Sequence, residues 1–262
     1  MLVRKTRKNK KETPIPKILH QIWIGENVMP SEWMDTVKDF CKKYQYKYKF
    51  WTESNIDTLK WNEFNGLKKA YTDLGLSLAG RSDIIRLLVL YEYGGIYSDA
   101  DIVILKPAKF NHFLLNNKAN LFFAYEHVLD KGNEILSTHP NEKIRKATKY
   151  IANSVVGSSK AHAFIKHLLE KISKYVKKVE SAWQMTGPLF ISDEYFKHEH
   201  KYKDIKIYPM KYFYPIKWHN ITDVRLHTKI KIPKESMLFQ YGYSTNKFKL
   251  YFNNCKTRKN KQ

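Results

Sequence analysis

The segment Arg81–Tyr93 (RSDIIRLLVLYEY) most constrains what this chain can fold into. Its apolar side chains occupy almost every face of a helix rather than a single stripe, and such a helix is buried. The pair Gly94-Gly95 ends the helix. The apolar residues Ile96 and Tyr97 then indicate a buried strand, so the segment predicts a helix packed against a sheet.

The first fifty residues show the order strand, helix, strand. Lys17–Gly25 is a short apolar run closed by glycine, which is typical of a buried strand. Pro30-Ser31-Glu32 predicts a helix start with Ser31 as the N-cap. Tyr46–Trp51 alternates aromatic residues with lysines, which is the period of a half-buried strand. This order favours a parallel sheet with crossover helices, so the predicted fold class is α/β.

The rest of the chain predicts further elements of both kinds. Leu121–Tyr125 is a candidate strand, and Ser158-Ser159 opens an amphipathic helix whose lysine-rich face is solvated. After Thr186-Gly187-Pro188 the chain turns aromatic and irregular, with short strands near Ile205–Tyr208 and Met237–Tyr241. No repeat or flexible linker divides these elements, which favours one domain.

The two ends of the chain are basic and resemble no core element. We therefore expect disordered tails at residues 1–13 and 255–262 around a single domain at 14–254, with its acceptor-side region at about 190–254. No apolar run approaches the roughly 18–20 residues that span a bilayer, and the N-terminus lacks the apolar stretch of a secretory signal. These features predict a cytoplasmic or peripheral membrane protein.

Composition narrows the class of protein further. The 262 residues carry 47 Lys+Arg against 25 Asp+Glu, a formal net charge of +22. Such a field attracts nucleic acid, anionic lipid surfaces or nucleotide phosphates, although a lysine-rich surface can also serve solvation alone. The two cysteines, Cys41 and Cys255, exclude a disulfide-dense scaffold and a cysteine-based zinc cluster.

Asp99-Ala100-Asp101 is the sharpest chemical feature of the sequence. Two carboxylates at i and i+2 of an extended segment point the same way and can present oxygens to one hard cation, Mn²⁺ or Mg²⁺. They follow a predicted buried strand, and α/β sheets place ligands at that end of their strands. The alternative is a solvated turn capped by aspartate.

Asp83 and Arg86 are charges on the otherwise apolar helix. Three residues apart, they share one helix face, and buried charges are costly unless they are paired or used. One interpretation is an ion pair that ties the helix to the sheet. The other is that the pair faces the same pocket as Asp99 and Asp101.

These motifs together resemble a known family. The string S-D-x-x-R … G-G-x-Y-x-D-x-D over residues 82–101 is similar to the glycosyltransferase sugar-binding region containing the DXD motif, of glycosyltransferase family 32. The family includes initiating α-1,6-mannosyltransferases, capsular polysaccharide enzymes and galactosyltransferases. Ile15–Gly25, Trp51-Thr52 and Thr186-Gly187-Pro188 resemble further family elements, so the resemblance covers roughly residues 14–190.

The resemblance implies a GT-A-like nucleotide-binding sandwich and retaining transfer of a hexose from a nucleotide-sugar, dependent on Mn²⁺ or Mg²⁺. Donor-binding residues carried over by motif are Trp23, Asp83, Arg86, Tyr97 and Asp99, of which Asp83, Arg86 and Asp99 are also the expected catalytic residues. The expected metal ligands are Asp99 and Asp101. Trp23 would lie near the nucleotide base, although a core tryptophan is an equal alternative.

The chain departs from the family pattern near its C-terminus. The family often completes the metal and phosphate shell with a histidine and a Ser-Trp pair. Ser244 matches the serine and is a weak candidate metal ligand, but the histidine and the tryptophan are missing. His219 and His227 are nearby alternatives.

The leading hypothesis is therefore a metal-dependent glycosyltransferase. Its expected partners are a GDP- or UDP-hexose donor, a glycan, lipid or protein acceptor, and an anionic membrane surface, without nucleic acid. One alternative is an inactive glycosyltransferase-like protein that binds a glycan or a partner. Another is a nucleic-acid-binding protein or nuclease, which the basic and aromatic composition would suit but which no recognisable motif supports.

Overall fold

The computed structural model describes residues 14–73, 76–127, 138–146, 149–175, 181–217, 220–223, 225–243 and 248. The tails expected at 1–13 and 255–262 lie outside these residues, so the division into tails and one domain stays a prediction. None of the described helices is both long and apolar enough to cross a membrane.

A six-stranded sheet forms the centre of the described part of the chain. Its order is β2-β1-β3-β6-β5-β7, and β6 alone runs against the other five strands. The predicted α/β class with a mostly parallel central sheet is confirmed. The strands are β1 (Ile18–Ile22), β2 (Lys47–Trp51), β3 (Gly95–Ser98), β5 (Leu121–His127), β6 (Lys149–Ser158) and β7 (Ile205–Tyr208).

Helices cover both faces of this sheet, and a small second sheet lies beside it. The second sheet pairs β4 (Ile102–Ile104) with β8 (Leu238–Gln240) in antiparallel fashion. The α-helices are α1 (Ser31–Tyr44), α2 (Leu67–Thr72), α3 (Leu78–Tyr93), α4 (Pro107–Asn116), α5 (Glu142–Arg145), α6 (Ala163–Tyr175), α7 (Ala182–Met185), α8 (Pro188–His198) and α9 (Leu226–Lys229). Short 3₁₀ turns are Ile56–Thr58, Trp61–Glu63 and Met210–Tyr212.

The predicted β-α-β unit at the start of the chain is confirmed. Strands β1 and β2 pair in parallel, from Ile18 opposite Lys47 to Ile22 opposite Trp51. The capping prediction was wrong by one position, because Pro30 occupies the N-cap and Ser31 is the first helical residue. A proline just outside the helix leaves no side-chain acceptor for the first amides, and no side-chain capping bond forms there.

Helix α3 is buried as its sequence predicts. It begins three residues earlier than the apolar run, where the Ser77 hydroxyl accepts a hydrogen bond from the Gly80 amide at 3.3 Å. It ends at Gly94, whose φ of +65° favours glycine. A Cβ on the next residue, Gly95, would lie 2.5 Å from the Ile18 carbonyl oxygen, so the turn that leads into β3 requires glycine.

Two elements differ from the sequence-based prediction. Lys149–Ser158 is a long strand, and the helix expected to open at Ser158-Ser159 begins at Ala163. The polar residues Asn153 and Ser154 interrupt the apolar pattern of the strand because they face the candidate site described below. Pro188–His198 is a helix rather than irregular chain, with Pro188 in its first turn, where the missing amide costs nothing.

His20 links β1 to the turn before β3 through a side-chain hydrogen bond. Its Nε2 lies 2.9 Å from the Gly94 carbonyl oxygen, and its Nδ1 accepts a hydrogen bond from Trp51 Nε1 at 3.1 Å. A carbonyl oxygen only accepts, so the Nε2 proton donates and the ring is neutral. Burial, reinforced by the positive charge of Lys49, lowers the pKa of His20 to about 4 despite the Gly94 hydrogen bond.

This lowered pKa predicts acid sensitivity of the fold. The unfolded chain takes up a proton at His20 near pH 6.5 and the folded chain only near pH 4, so the stabilisation present above pH 6.5 is lost as the pH falls between these values. The free energy of unfolding should drop by roughly 3 kcal/mol from this group over that window. Urea unfolding of the wild type and His20→Gln from pH 8 to 4 tests this, because the difference between the two proteins should change by that amount. A constant difference would contradict it.

Candidate functional site

A cavity of about 370 Å³ opens at the carboxyl ends of β1 and β3. Parallel strands end at the same edge of a sheet, which is where α/β folds bind ligands. The first half of α3 and the starts of α7 and α8 form its other walls. Its lining includes all the predicted site residues that the structure describes, which are Trp23, Asp83, Arg86, Tyr97, Asp99 and Asp101.

Asp99 directly follows β3 and is held by two donors. Its Oδ1 accepts hydrogen bonds from the Tyr97 hydroxyl at 2.6 Å and from Arg86 Nη2 at 2.8 Å. Its amide donates to the Ser154 carbonyl oxygen on β6 at 2.8 Å. The other oxygen, Oδ2, has a long contact of 3.5 Å with Gln240 Nε2. One carboxylate oxygen is therefore fixed by the protein, while the other has only a weak contact.

Asp101 lies in a turn rather than in the extended segment expected from the sequence. The Ile102 amide donates to the Asp99 carbonyl oxygen at 3.2 Å and closes this turn, yet both carboxylates still reach the cavity. Asp101 Oδ2 accepts a hydrogen bond from the Tyr243 amide at 2.8 Å. Asp101 Oδ1 is buried and has no hydrogen-bond partner among the described residues.

The surroundings of Asp101 disfavour a negative charge on its carboxyl group, because that group is buried and Asp99 beside it is already negatively charged. Burial, and next the negative charge of Asp99, raise the pKa of Asp101 to about 7. A buried oxygen without a donor beside a like charge is costly unless a proton or a cation compensates it. Carboxylate oxygens are the ligands that Mg²⁺ and Mn²⁺ prefer. The two aspartates therefore fit a hard divalent cation.

Asp83 and Arg86 are an ion pair that also faces the cavity, so both interpretations of the sequence hold. Arg86 Nη1 lies 3.3 Å from Asp83 Oδ1 and donates to the Asn153 carbonyl oxygen at 2.6 Å. The side chains of Arg86 and Asp83 are only 5% and 10% exposed. Burial opposes the charge of Arg86, but Asp99, Tyr97 and Asp83 outweigh it and raise its pKa above the ordinary value.

The Asp83 carboxylate has a partner on each oxygen. Oδ1 accepts a hydrogen bond from Asn153 Nδ2 at 2.8 Å, and Oδ2 accepts one from the Thr186 hydroxyl at 2.9 Å. Burial raises the pKa of Asp83 to about 6, against the opposing effects of Arg86 and these two donors. Thr186 belongs to the Thr-Gly-Pro motif, whose role the sequence did not reveal, and Asn153 belongs to a strand that the sequence did not predict.

Tyr97 is almost fully buried at the wall of the cavity and contacts the charged side chains of Asp99 and Arg86. Its hydroxyl donates to Asp99, and the Arg86 guanidinium carbon lies 4.3 Å from its ring centroid. Trp23 is half-buried, and its Nε1 donates to the Asn27 carbonyl oxygen at 2.9 Å. Its ring meets Tyr243 edge-on, with 5.3 Å between centroids. Donor binding by Trp23 and Tyr97 stays a prediction.

The C-terminal candidates for a further metal ligand are not described. Ser244 and His219 lie outside the described residues, and so does the side chain of His227. Gln240 does approach the aspartates, since its Nε2 donates to Ser154 Oγ at 2.9 Å and lies near Asp99. Sequence reasoning did not identify Gln240 as part of the site.

The Thr186–Asp83 hydrogen bond gives a first test of the site's construction. Thr186→Val keeps the shape but leaves a buried carboxylate oxygen without its donor, so the free energy of unfolding should fall by about 1–3 kcal/mol. Thr186→Ser keeps the hydroxyl and should retain most of the stability. Urea unfolding of the three proteins at pH 7.5 measures both effects, and equal losses in the two variants would show that the hydroxyl contributes nothing.

Comparison with known families identifies the segment that carries the site. Residues 30–120 match the family described as the glycosyltransferase sugar-binding region containing the DXD motif. This span contains Asp83, Arg86, Asp99 and Asp101, and the match confirms the resemblance inferred from the sequence.

Named relatives are glycosyltransferases. Inositol phosphoceramide mannosyltransferase 3 of Schizosaccharomyces pombe is 25% identical over 183 residues, which cover 68% of this chain and 44% of that protein. An uncharacterised glycosyltransferase, L373, of Acanthamoeba polyphaga mimivirus is 27% identical over 212 residues, which cover 79% of this chain and 75% of the viral protein. The chain thus spans about half the length of the yeast enzymes it matches, at 44% and 52% for two of them.

Solved structures of glycosyltransferases are also similar to this chain. The PaToxG glycosyltransferase superposes with a TM-score of 0.48 at 17% identity, over 71% of this chain and 70% of that one.

Proposed function

We propose that this chain, whose residues 30–120 match a glycosyltransferase sugar-binding region, transfers a hexose from a GDP- or UDP-hexose to an acceptor. The reaction would depend on Mn²⁺ or Mg²⁺ and retain the anomeric configuration, as the family resemblance implies. The observation that carries the proposal is the unpaired, buried Asp101 Oδ1 beside Asp99 at the edge of the cavity.

The cation would be held by Asp99 and Asp101. Arg86 and Tyr97 occupy Asp99 Oδ1, so Asp99 Oδ2 and Asp101 Oδ1 are the oxygens left to face it. When bound, a divalent cation supplies positive charge that stabilises a diphosphate leaving group. The protein's part is to orient the two carboxylates before the donor arrives.

Arg86 contributes by fixing Asp99. Its guanidinium simultaneously contacts Asp99, Asp83 and the Asn153 carbonyl, so the position of one carboxylate depends on the helix, on β3 and on β6. Donor contact by Asp83 and Arg86 remains part of the proposal, since both line the cavity. Their buried partners favour a positioning role, with Asp99 closest to the reaction.

The cavity suits a small ligand that is partly apolar and partly anionic. Its volume of about 370 Å³ lies within the usual range for small-molecule sites. Trp23 offers an aromatic surface for a nucleotide base. The aspartates line the same cavity with charged carboxylate groups. This combination supports a nucleotide-sugar better than a nucleic acid strand, which would need an open basic groove.

Mannose is the sugar to test first, because several relatives are named mannosyltransferases. The names of three of these relatives include inositol phosphoceramide, which makes a lipid head group the first acceptor to try. A net charge of +22 would bring the chain to an anionic membrane where such an acceptor resides, and salt would weaken that contact.

Asp101→Asn provides the decisive test of the proposed function. Without the second carboxylate, Mn²⁺-dependent release of nucleoside diphosphate from GDP-mannose or UDP-hexoses should fall by a factor on the order of a hundred or more. The free energy of unfolding without metal should stay equal or rise, because the change removes a buried like charge. Activity assays with Mn²⁺ or EDTA, together with urea unfolding, measure the two quantities.

Asp35→Asn is the matched control, since Asp35 is exposed on the surface of α1 and forms an ion pair with Lys38. It should leave donor turnover unchanged. Full activity of a folded Asp101→Asn protein would refute the metal assignment. Absence of turnover in the wild type with every donor would instead favour the inactive, glycan- or partner-binding alternative.

Arg86→Lys tests the positioning role. An ammonium group is a point charge and cannot hold Asp83, Asp99 and the Asn153 carbonyl at once, so kcat should fall by at least about tenfold. Arg81→Lys on the same helix is the control and should keep wild-type kcat. Kinetics with each folded fraction determined would separate the hypotheses: a destabilised Arg86→Lys protein with normal kcat would mean that Arg86 serves the fold alone.

A further inference from the structure

A second group of metal-ligating side chains lies away from the cavity. His167 on α6 and Glu194 and His198 on α8 each place one ligand atom within 4.8 Å of those of the other two. None of the three lines the cavity. His198 is ten residues beyond Pro188, the cavity residue of the same helix, which places it roughly 15 Å further along.

Glu194 is the centre of this cluster. It is only 2% exposed, although a buried carboxylate is costly without close positive charge or strong donors. His167 Nε2 lies 2.6 Å from Glu194 Oε2. Lys197 is more distant, with its Nζ 3.9 Å from Glu194 Oε1. The imidazole is therefore the close partner of a carboxylate that nearly lacks contact with water.

His198 is the third member of the cluster, and its Nδ1 lies 3.8 Å from Glu194 Oε2. Its Nδ1 lies 2.9 Å from the main-chain carbonyl oxygen of Glu194, and since a carbonyl only accepts, Nδ1 carries the proton. In the neutral ring the lone pair then belongs to Nε2. Donation of the other ring N–H to a carbonyl is the common way in which proteins orient a metal-binding histidine.

We propose that His167, Glu194 and His198 form a binding site for a transition-metal cation of the zinc class. Two imidazole nitrogens and one carboxylate oxygen suit Zn²⁺, whereas Mg²⁺ prefers oxygen ligands alone. The cation would replace the proton between His167 Nε2 and Glu194 Oε2 and release it to solvent. Tetrahedral zinc ligands lie roughly 3.3–3.6 Å apart, so binding would rearrange the three side chains, whose ligand atoms lie within 4.8 Å of one another, and water would fill the fourth position.

The site would join α6 to α8 and stabilise the folded chain. A cation that binds the folded state and not the unfolded one raises the midpoint of thermal unfolding in proportion to the logarithm of its concentration. This effect is independent of sugar transfer, because the cluster shares no residue with Asp99 and Asp101. The proposed function can therefore fail without affecting this site, and the converse also holds.

The test uses Zn²⁺ as the probe and the full chain carrying Asp101→Asn, so that the cavity aspartates do not compete. Calorimetric titration should show one Zn²⁺ per chain, with a rise in unfolding temperature that Mg²⁺ does not produce. Adding His198→Gln or His167→Gln should weaken Zn²⁺ binding by about tenfold or more. The control is His200→Gln, an exposed histidine two residues from His198, which should bind as the parent does.

Two histidine variants are tested so that the experiment still gives a result if one of them does not fold. His167→Gln removes the close partner of a buried carboxylate, whereas His198 is half-buried and its loss leaves the His167–Glu194 bond in place. Absence of Zn²⁺ binding in the Asp101→Asn chain would overturn the proposal. Unchanged affinity in both folded histidine variants, or an equal loss in His200→Gln, would overturn it too.

Discussion

The contact between the Arg86 guanidinium and the Asp99 carboxylate is the interaction on which the rest of the structure depends. It joins the buried charges of helix α3 to the strand end where the cavity opens. Such a pair repays its desolvation only when further hydrogen bonds satisfy both partners. Tyr97, Asp83 and Asn153 provide those bonds, so helix α3 and strands β3 and β6 must all be in place for the pair to be tolerated. The contacts that form the site therefore also hold helix α3 against strands β3 and β6.

Much of this could be predicted from the chain itself. The buried helix, the β-α-β unit and the position of Asp99 after a strand follow from hydrophobic periodicity and from the two glycines at 94 and 95, because these are local properties. The pairing of Asp83 with Arg86 also follows from their spacing. The length of β6 could not be predicted, because the polar residues Asn153 and Ser154 interrupt its apolar pattern. These two residues form hydrogen bonds with Asp83 and Gln240, which are distant in the sequence.

The partners of Asp83 show why the remainder of the site escaped prediction. Asn153 and Thr186 reach its two oxygens from 70 and 103 residues further along the chain. Neither residue belongs to a local pattern that indicates a charge partner, and a threonine before Gly-Pro is an ordinary turn sequence. Gln240 likewise reaches Asp99 only because the short sheet of β4 and β8 brings it there. The local periodicity of the sequence gives no information about contacts between residues so far apart along the chain.

The antiparallel strand β6 has a consequence for how the protein folds. It is inserted between β3 and β5, and its pairing with β3 brings together residues about sixty positions apart, such as Ile96 and Gly157. Closing a long loop costs entropy before any contact compensates it, so pairings of this kind form late relative to the local β1–α1–β2 unit. A nascent chain that has not yet reached β6 holds Arg86 without its carbonyl partner and Asp99 without its backbone acceptor on Ser154. The partners that fix Arg86 and Asp99 at the cavity therefore come together only after β6 has paired with β3, so the geometry of the site depends on a pairing between distant parts of the chain.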